Sequence, residues 1–536
     1  MQWQWDPFLI AIAANIIWEA SNMKNKAKIL AAILAAASVS MSLAGCSGDD
    51  TTSSDAASTG SETSTESSAE ESSAAASGET VNLSWIQIGP QPNDLQMVTD
   101  AMNEYSKEKI NVTCDYTYLD WGIYGDRMKA MIQGGEYFDI MFLNGSTVYT
   151  QPAETGRLAA LEDYLSEVPE LEEFTPDSLW EGVTYKGHIY AVPTYKDSSC
   201  TNYWVWDQPT VEALSIPYEE IKTFADLDPW LYTVQEGIAN GTVDSAMGQY
   251  PLYLTNTGLG GYAPVDTYDL NVDNVFLGAN IEKADGQIIR ILEQPDVMEN
   301  LKLLHKWYND GIINPDAPTA TSAPTAKTVY FAQAYPGAEV GYALSAGRDV
   351  VMNVGEGPMY TTWTVQGSLN AISSSSEHIV ESLKYLELCN LDPTMRNMLA
   401  YGVEGTHWTD NGDGTITRDE VKQSDYGPAT YSQATFFTMS PITPNTADQW
   451  TQVQDWVEGS AESPYLGFMF DSAPVATELA ACQALYAQYA PEIITGARDP
   501  ETTVPEYYAA MDAAGLQTVQ DEMQRQLDEF MASKGE

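Results

Sequence analysis

From Val81 the chain alternates. Val81, Leu83 and Trp85 are apolar while Asn82 and Ser84 are polar, the period of a half-buried strand. Leu95, Val98, Met102 and Tyr105 then recur at helical spacing, and Val112, Cys114, Tyr116 and Tyr118 alternate again. A second helical stretch is predicted over about 123–133, and YFDIMFL (137–143) reads as a buried strand. Strand-helix-strand-helix-strand in so short a span implies a parallel, doubly wound α/β sheet. Ligands of such sheets sit beyond the carboxyl ends of the strands, here GPQPND (89–94) and NGST (144–147). Helical patterns return at 297–309, 377–391 and 473–490, and Leu516, Val519, Met523, Leu527 and Phe530 form one stripe near the end. No repeat has the period of a solenoid or propeller.

Upstream of Val81 the chain changes character. Lys24, Lys26 and Lys28 precede an apolar run from Ile29 to Leu43, the layout of a secretory signal peptide. The run is short for a spanning helix, which needs roughly 20 apolar residues. Leu43-Ala44-Gly45-Cys46 resembles the lipobox of bacterial lipoproteins, and that resemblance implies a leader over 23–45, cleavage before Cys46 and acylation of its thiol. Residues 1–22 lie outside this plan. Trp18-Glu19-Ala20 can be encoded by a ribosome-binding sequence close before Met23, so translation is expected to start at Met23, leaving 1–22 as a start-site artefact. From Ser47 to Thr80 there are eight acids, no base, no aromatic and no aliphatic residue larger than Ala. Such a segment cannot bury enough apolar surface to offset its ordering entropy, and is expected to be a disordered tether.

Charge excludes several classes of partner. With 24 Lys and Arg against 76 Asp and Glu, the net charge is −52. Nucleic acid needs clustered basic residues, so it is not an expected partner; direct contact with anionic lipid surfaces is disfavoured in the same way. Cys114, Cys200, Cys389 and Cys482 form no CxxC or metal spacing and read as buried thiols. His188, His305, His378 and His407 are not paired at metal spacing, and HExxH, GxSxG and phosphate-cradling glycine motifs are missing. No enzyme activity and no cofactor is therefore expected, although a carboxylate pair for glycoside cleavage could be drawn from so many acids.

GPQPNDLQMVTDAMNEYSKEKINV (89–112), GEYFDIMFLN (135–144), WEGVTYKGHIYAVPTYKD (180–197), YGVEGTHW (401–408) and GLQTVQDEMQRQLDEF (515–530), in that order, resemble the lipid-anchored solute-binding proteins of bacterial ABC importers, extracellular family 1. The likeness is to a Gram-positive subgroup. It implies a two-lobed, periplasmic-binding-protein-like α/β fold (type II), with doubly wound sheets joined by hinge crossovers. One lobe would hold 81–195 and about 366–400, the other 196–365 and about 401–536. The implied partners are a small solute, usually carbohydrate, and the permease subunits that read closure, for a monomer lipid-anchored on the outer face of the cytoplasmic membrane. A glycoside-acting enzyme, or a receptor for a peptide or other non-sugar solute, is the alternative. The 31 Tyr and 14 Trp against 12 Phe suit a sugar, whose C–H faces and hydroxyls match rings with a polar edge, though most must fill cores.

Candidate cleft residues follow from these positions. Gln91 and Asp94 lie after the first strand, Asp94 serving equally as a helix N-cap; Asn144 lies after the third, or forms a turn with Gly145. Trp121 and Tyr124 follow the second strand as stacking platforms or packing residues. Tyr195, Lys196 and Asp197 lead into the implied crossover, where lysine and aspartate could grip a solute or pair structurally. Trp363 and Trp408 stand on loops that could cover a bound ring. TDNGDGTITRDE (409–420) matches a calcium loop at Asn411, Asp413 and Glu420 but has Thr409 where the first ligand belongs and lacks flanking helical patterns, so no metal is expected and a hairpin turning at Asn411-Gly412-Asp413-Gly414 is the alternative.

Overall fold

The structure, a computed structural model, describes residues 79–269, 274–418 and 420–535. The leader, Cys46 and most of the tether lie outside them. Strands Val81–Ile88, Val112–Leu119 and Ile140–Leu143 form where the alternation predicts, with helices Leu95–Ile110 and Trp121–Gly134 between them. The first two strands pair in parallel register, Leu83 opposite Cys114 and Trp85 opposite Tyr116, and the third joins Val81–Ile88 from the other side, also parallel. Helix Leu95–Ile110 ends where Asn111 turns left-handed (φ 57°), a conformation asparagine tolerates. Asp120 caps the next helix by accepting from the Gly122 amide.

The sheet is not parallel throughout. Leu369–Ile372 adds antiparallel to Ile140–Leu143, and Ala191–Pro193 adds antiparallel to Leu369–Ile372. Both arrive from distant parts of the chain rather than through a strand-helix-strand unit, so nothing constrains them to run parallel. A second sheet places Asn202–Asp207 between Val329–Gln333 and Val350–Glu356, antiparallel to both. Helices Pro295–Asn309, Ile379–Leu391, Ala476–Ile494 and Leu516–Lys534 occupy the predicted apolar stripes.

Two large apolar cores result. The first is built from 83–195 and residues between 360 and 469; the second from 204–329 and residues between 465 and 527. Tyr401, Trp408, Tyr426, Phe436, Trp450 and Val457 pack in the first core. That corrects the expected division near residue 400: the stretch from 401 to about 457 serves the first core. The cause is long-range. Arg396, Asn390 and Asn397 reach into 430–440 with their side chains and hold that stretch against helix Pro393–Tyr401.

Three chain crossings link the cores and bind one another. The Met359 amide donates to the Ser199 carbonyl at 2.6 Å, the Ser463 amide to the Tyr360 carbonyl at 2.8 Å, and Trp456 Nε1 to Thr201 Oγ1 at 2.9 Å. Cys114, Cys200, Cys389 and Cys482 are buried and free, as expected of cysteines without CxxC or metal spacing. Among the described residues no helix is long and apolar enough to cross a membrane.

Candidate functional site

The carboxyl ends of the three parallel strands, Ile88, Leu119 and Leu143, open onto one edge of the first sheet. Trp121 starts its helix there and leaves 49% of its surface exposed. Its indole lies over Gly89, whose φ of 116° favours glycine and where a Cβ would come within 3.5 Å of the ring. The other ring neighbour is Tyr431, stacked on Trp121 with centroids 6.1 Å apart and planes 22° apart. Tyr431 in turn sets its ring edge-on to Phe142 at 6.0 Å. The Trp121–Tyr431 pair thus forms an aromatic ledge at the strand ends, with Trp121 half exposed and Tyr431 partly buried.

Tyr431 is the residue that the sequence patterns do not reveal. It stands in ATYSQATF (429–436), a run of small and polar residues without period. Its only signal is a large ring in a run without helical or strand period. The ledge is held from behind: Ser368 Oγ donates to the Tyr431 carbonyl at 2.7 Å, Ser432 Oγ to Gln87 Oε1 at 2.9 Å, and Asn370 Nδ2 to the Gln433 carbonyl at 3.0 Å.

The other predicted residues divide by burial. Gln91 and Asn144 are exposed at the same strand ends. Trp363, 61% exposed, rides on the short helix Thr362–Val365. The Gly145 amide donates to the Gln366 carbonyl at 2.8 Å, which sets that helix beside the Asn144 turn. Asp94 does not cap its helix. Its carboxylate lies 3.3 Å from Nε2 of the buried His407, whose Nδ1 accepts from the Val403 amide at 2.9 Å. The accepted bond places the imidazole proton on Nε2, so His407 donates to Asp94. This bond ties the first strand-end loop to the 401–408 turn.

Tyr124 is buried; its hydroxyl donates to the Phe142 carbonyl and its ring packs on Phe142 at 5.9 Å, which makes it a packing residue. Trp408 is also turned inward, its Nε1 donating to the Gly402 carbonyl at 2.8 Å, so it does not present a face to a bound ring. Tyr195 is buried between Phe174 and Phe437, and burial pushes its hydroxyl up to about 12 with Glu458 adding to the shift. Lys196 and Asp197 pair at 2.6 Å, both largely buried, and Gln333 Nε2 donates to the second Asp197 oxygen at 3.1 Å. These three residues stiffen the first crossing.

Residues 409–417 form a hairpin, Thr409–Asp410 paired antiparallel with Ile416–Thr417. Asn411 Nδ2 donates to Thr415 Oγ1 at 2.9 Å, and Asp413 accepts from the Thr415 amide and hydroxyl at 3.0 and 2.6 Å. The hairpin takes up the groups a calcium loop would offer, while Glu420 opens the separate helix Glu420–Asp425.

The chain thus has two α/β cores joined by linked crossings, with an exposed aromatic pair at the strand ends of the first. The chain belongs to the bacterial extracellular solute-binding protein family, which residues 100–403 match. Residues 464–532 also match a domain of unknown function, DUF3502. A relative from Streptococcus pneumoniae serotype 4 (strain ATCC BAA-334 / TIGR4), named a carbohydrate ABC transporter substrate-binding protein, is 27% identical over 475 residues, 86% of this chain and 93% of the relative. Lipoprotein LipO of Bacillus subtilis (strain 168) is 23% identical over 296 residues, 53% of this chain and 51% of its own length. The N-glycan transport solute-binding protein NgtS of Streptococcus pneumoniae superposes with a TM-score of 0.77 at 24% identity, over 85% of this chain and 100% of that one. Its complex with Man5GlcNAc gives 0.70 at the same identity, over 85% and 99%. At this identity the likeness establishes the type II fold.

Proposed function

We propose that this chain captures an oligosaccharide of the mannose-bearing N-glycan type and delivers it, unmodified, to the permease of an ABC importer. The observation that carries the reading is the exposed Trp121–Tyr431 ledge at the carboxyl edge of the sheet, flanked by Gln91 and Asn144. Stacked rings offer an apolar face to the C–H side of a pyranose, and amides serve its hydroxyls. The carbohydrate relative and the fold shared with NgtS support the choice of solute.

In this reading the two cores are lobes that close on the solute about the three crossings, and the sugar is bound better by the closed form. Residues 23–45 are the leader, Cys46 carries the lipid, and the acidic run to Thr80 tethers a monomeric receptor to the outer face of the cytoplasmic membrane of a Gram-positive cell. The protein is not an enzyme. The test is calorimetry with Man5GlcNAc and with a peptide of similar size, followed by mass analysis of the recovered sugar. Saturable binding of intact sugar supports the reading; cleaved sugar, or binding of the peptide alone, overturns it. Labelled fatty acid incorporated into the wild type but not into Cys46→Ala tests the anchor.

A further inference from the structure

Residues 429–431 are partly buried and 432–436 run through the first core almost without exposure: Ser432, Gln433 and Thr435 are fully buried and Ala434 nearly so. An irregular segment in such a place must find donors for its carbonyls, since a buried polar group without a partner costs about 1–3 kcal/mol. The donor is Arg396, on helix Pro393–Tyr401, itself without solvent exposure. Its Nε donates to the Thr435 carbonyl at 2.6 Å and Nη1 to Gln433 Oε1 at 3.1 Å. Nη2 is shared between the carbonyls of Thr430 at 3.2 Å and Ala434 at 3.3 Å. No carboxylate pairs with this guanidinium among the described residues.

Burying an unpaired cation is costly, and a well-packed apolar side chain of equal volume would often serve stability better. Burial draws the Arg396 guanidinium down to about 10, which still leaves it charged at neutral pH. What an apolar residue could not supply is the fork: several donors in one rigid plane, reaching residues on both sides of Tyr431. Within the segment Tyr431 is the residue whose ring is stacked on an exposed partner, Trp121. Ser368 adds a bond to the Tyr431 carbonyl itself.

We propose that Arg396 is a positioning residue for solute binding: it locks residues 430–435 so that Tyr431 stands ready as the back of the Trp121 ledge. The proposal rests on the oligosaccharide reading above for its ligand, but not for its geometry. Two measurements on the full chain separate them. In the ligand-free protein, Arg396→Lys keeps the charge and loses the fork, and is expected to raise amide exchange at 429–436 more than elsewhere. In calorimetry with Man5GlcNAc, it is expected to weaken binding about tenfold, the scale of one lost aromatic contact. The double variant Arg396→Lys/Tyr431→Ala should bind no more weakly than Tyr431→Ala, because the arginine acts through the tyrosine.

Unchanged exchange at 429–436 overturns the proposal, as does wild-type affinity in Arg396→Lys or a double variant in which the two losses multiply. If the wild type binds no Man5GlcNAc, the oligosaccharide reading fails and the exchange result alone decides the positioning claim. Should Arg396→Lys not fold, Ser368→Ala, which removes one bond to the same segment, carries the same pair of measurements.

Discussion

Replacing Glu356 with glutamine isolates the most perturbed carboxyl on the crossings. Glu356 ends strand Val350–Glu356, just before the chain returns to the first core, and only 5% of its surface is exposed. Asn202 Nδ2 donates to its Oε1 at 2.6 Å and the Val265 amide to its Oε2 at 3.3 Å, and the Asp266 carboxylate is its charged neighbour. Burial pushes its carboxyl up from 4.5 to about 7; the Asn202 bond offsets part of this and Asp266 adds to it. Between those values the folded chain holds a proton that the unfolded chain has released. Stability therefore falls as pH rises through this window, and the loss is complete above about pH 7. At about 1.4 kcal/mol per pH unit, the full effect is about 3 kcal/mol. Glutamine has no proton to lose and can keep the Asn202 bond, but it gives up the Val265 bond, worth about 1 kcal/mol. Glu356→Gln should thus be about 1 kcal/mol less stable than the wild type near pH 4 and about 2 kcal/mol more stable near pH 8. Urea unfolding of both proteins across that range, followed by tryptophan emission, reads the difference. A variant whose offset from the wild type is the same at both ends would refute the reasoning.

Trp121→Ala should weaken oligosaccharide binding about five- to tenfold while leaving the unfolding midpoint nearly unchanged, because the ring is half exposed; calorimetry and thermal melting check the pair. Trp408→Ala, by contrast, should cost about 3–5 kcal/mol of stability, since it empties a buried site and orphans the Gly402 carbonyl. Calcium added after chelation should produce no binding heat and no thermal shift, because Asn411 and Asp413 are already bonded within their hairpin.

Local pattern carried the elements whose burial is periodic. The first five elements and the stripe of helix Leu516–Lys534 stand where alternation and helical spacing place them, because one face of each meets a core. Trp363 and Trp408 show where pattern stops. Both are tryptophans outside the periodic segments of the sequence, yet Trp363, on the short helix Thr362–Val365, is open and Trp408 packs among residues drawn from 83–195 and 434–457. Sequence neighbours do not encode that choice; partners hundreds of positions away make it. The same holds for the irregular stretch 429–440, which shows no helical or strand period, and for Tyr431 within it, fixed by Gln87, Ser368, Asn370 and Arg396. Lys196 and Asp197 were legible as a pair from adjacency alone, and the structure buries that pair on a crossing.

The central claim is that a mannose-bearing oligosaccharide is held at the edge where Trp121, Tyr431, Asn144 and Trp363 meet solvent. A crystal structure of the chain grown with Man5GlcNAc tests it most directly. A pyranose ring against the open face of the Trp121–Tyr431 pair, with hydroxyls on Asn144 or Gln91, is the result expected. Sugar bound elsewhere on the surface, or cleaved in the site, would contradict it.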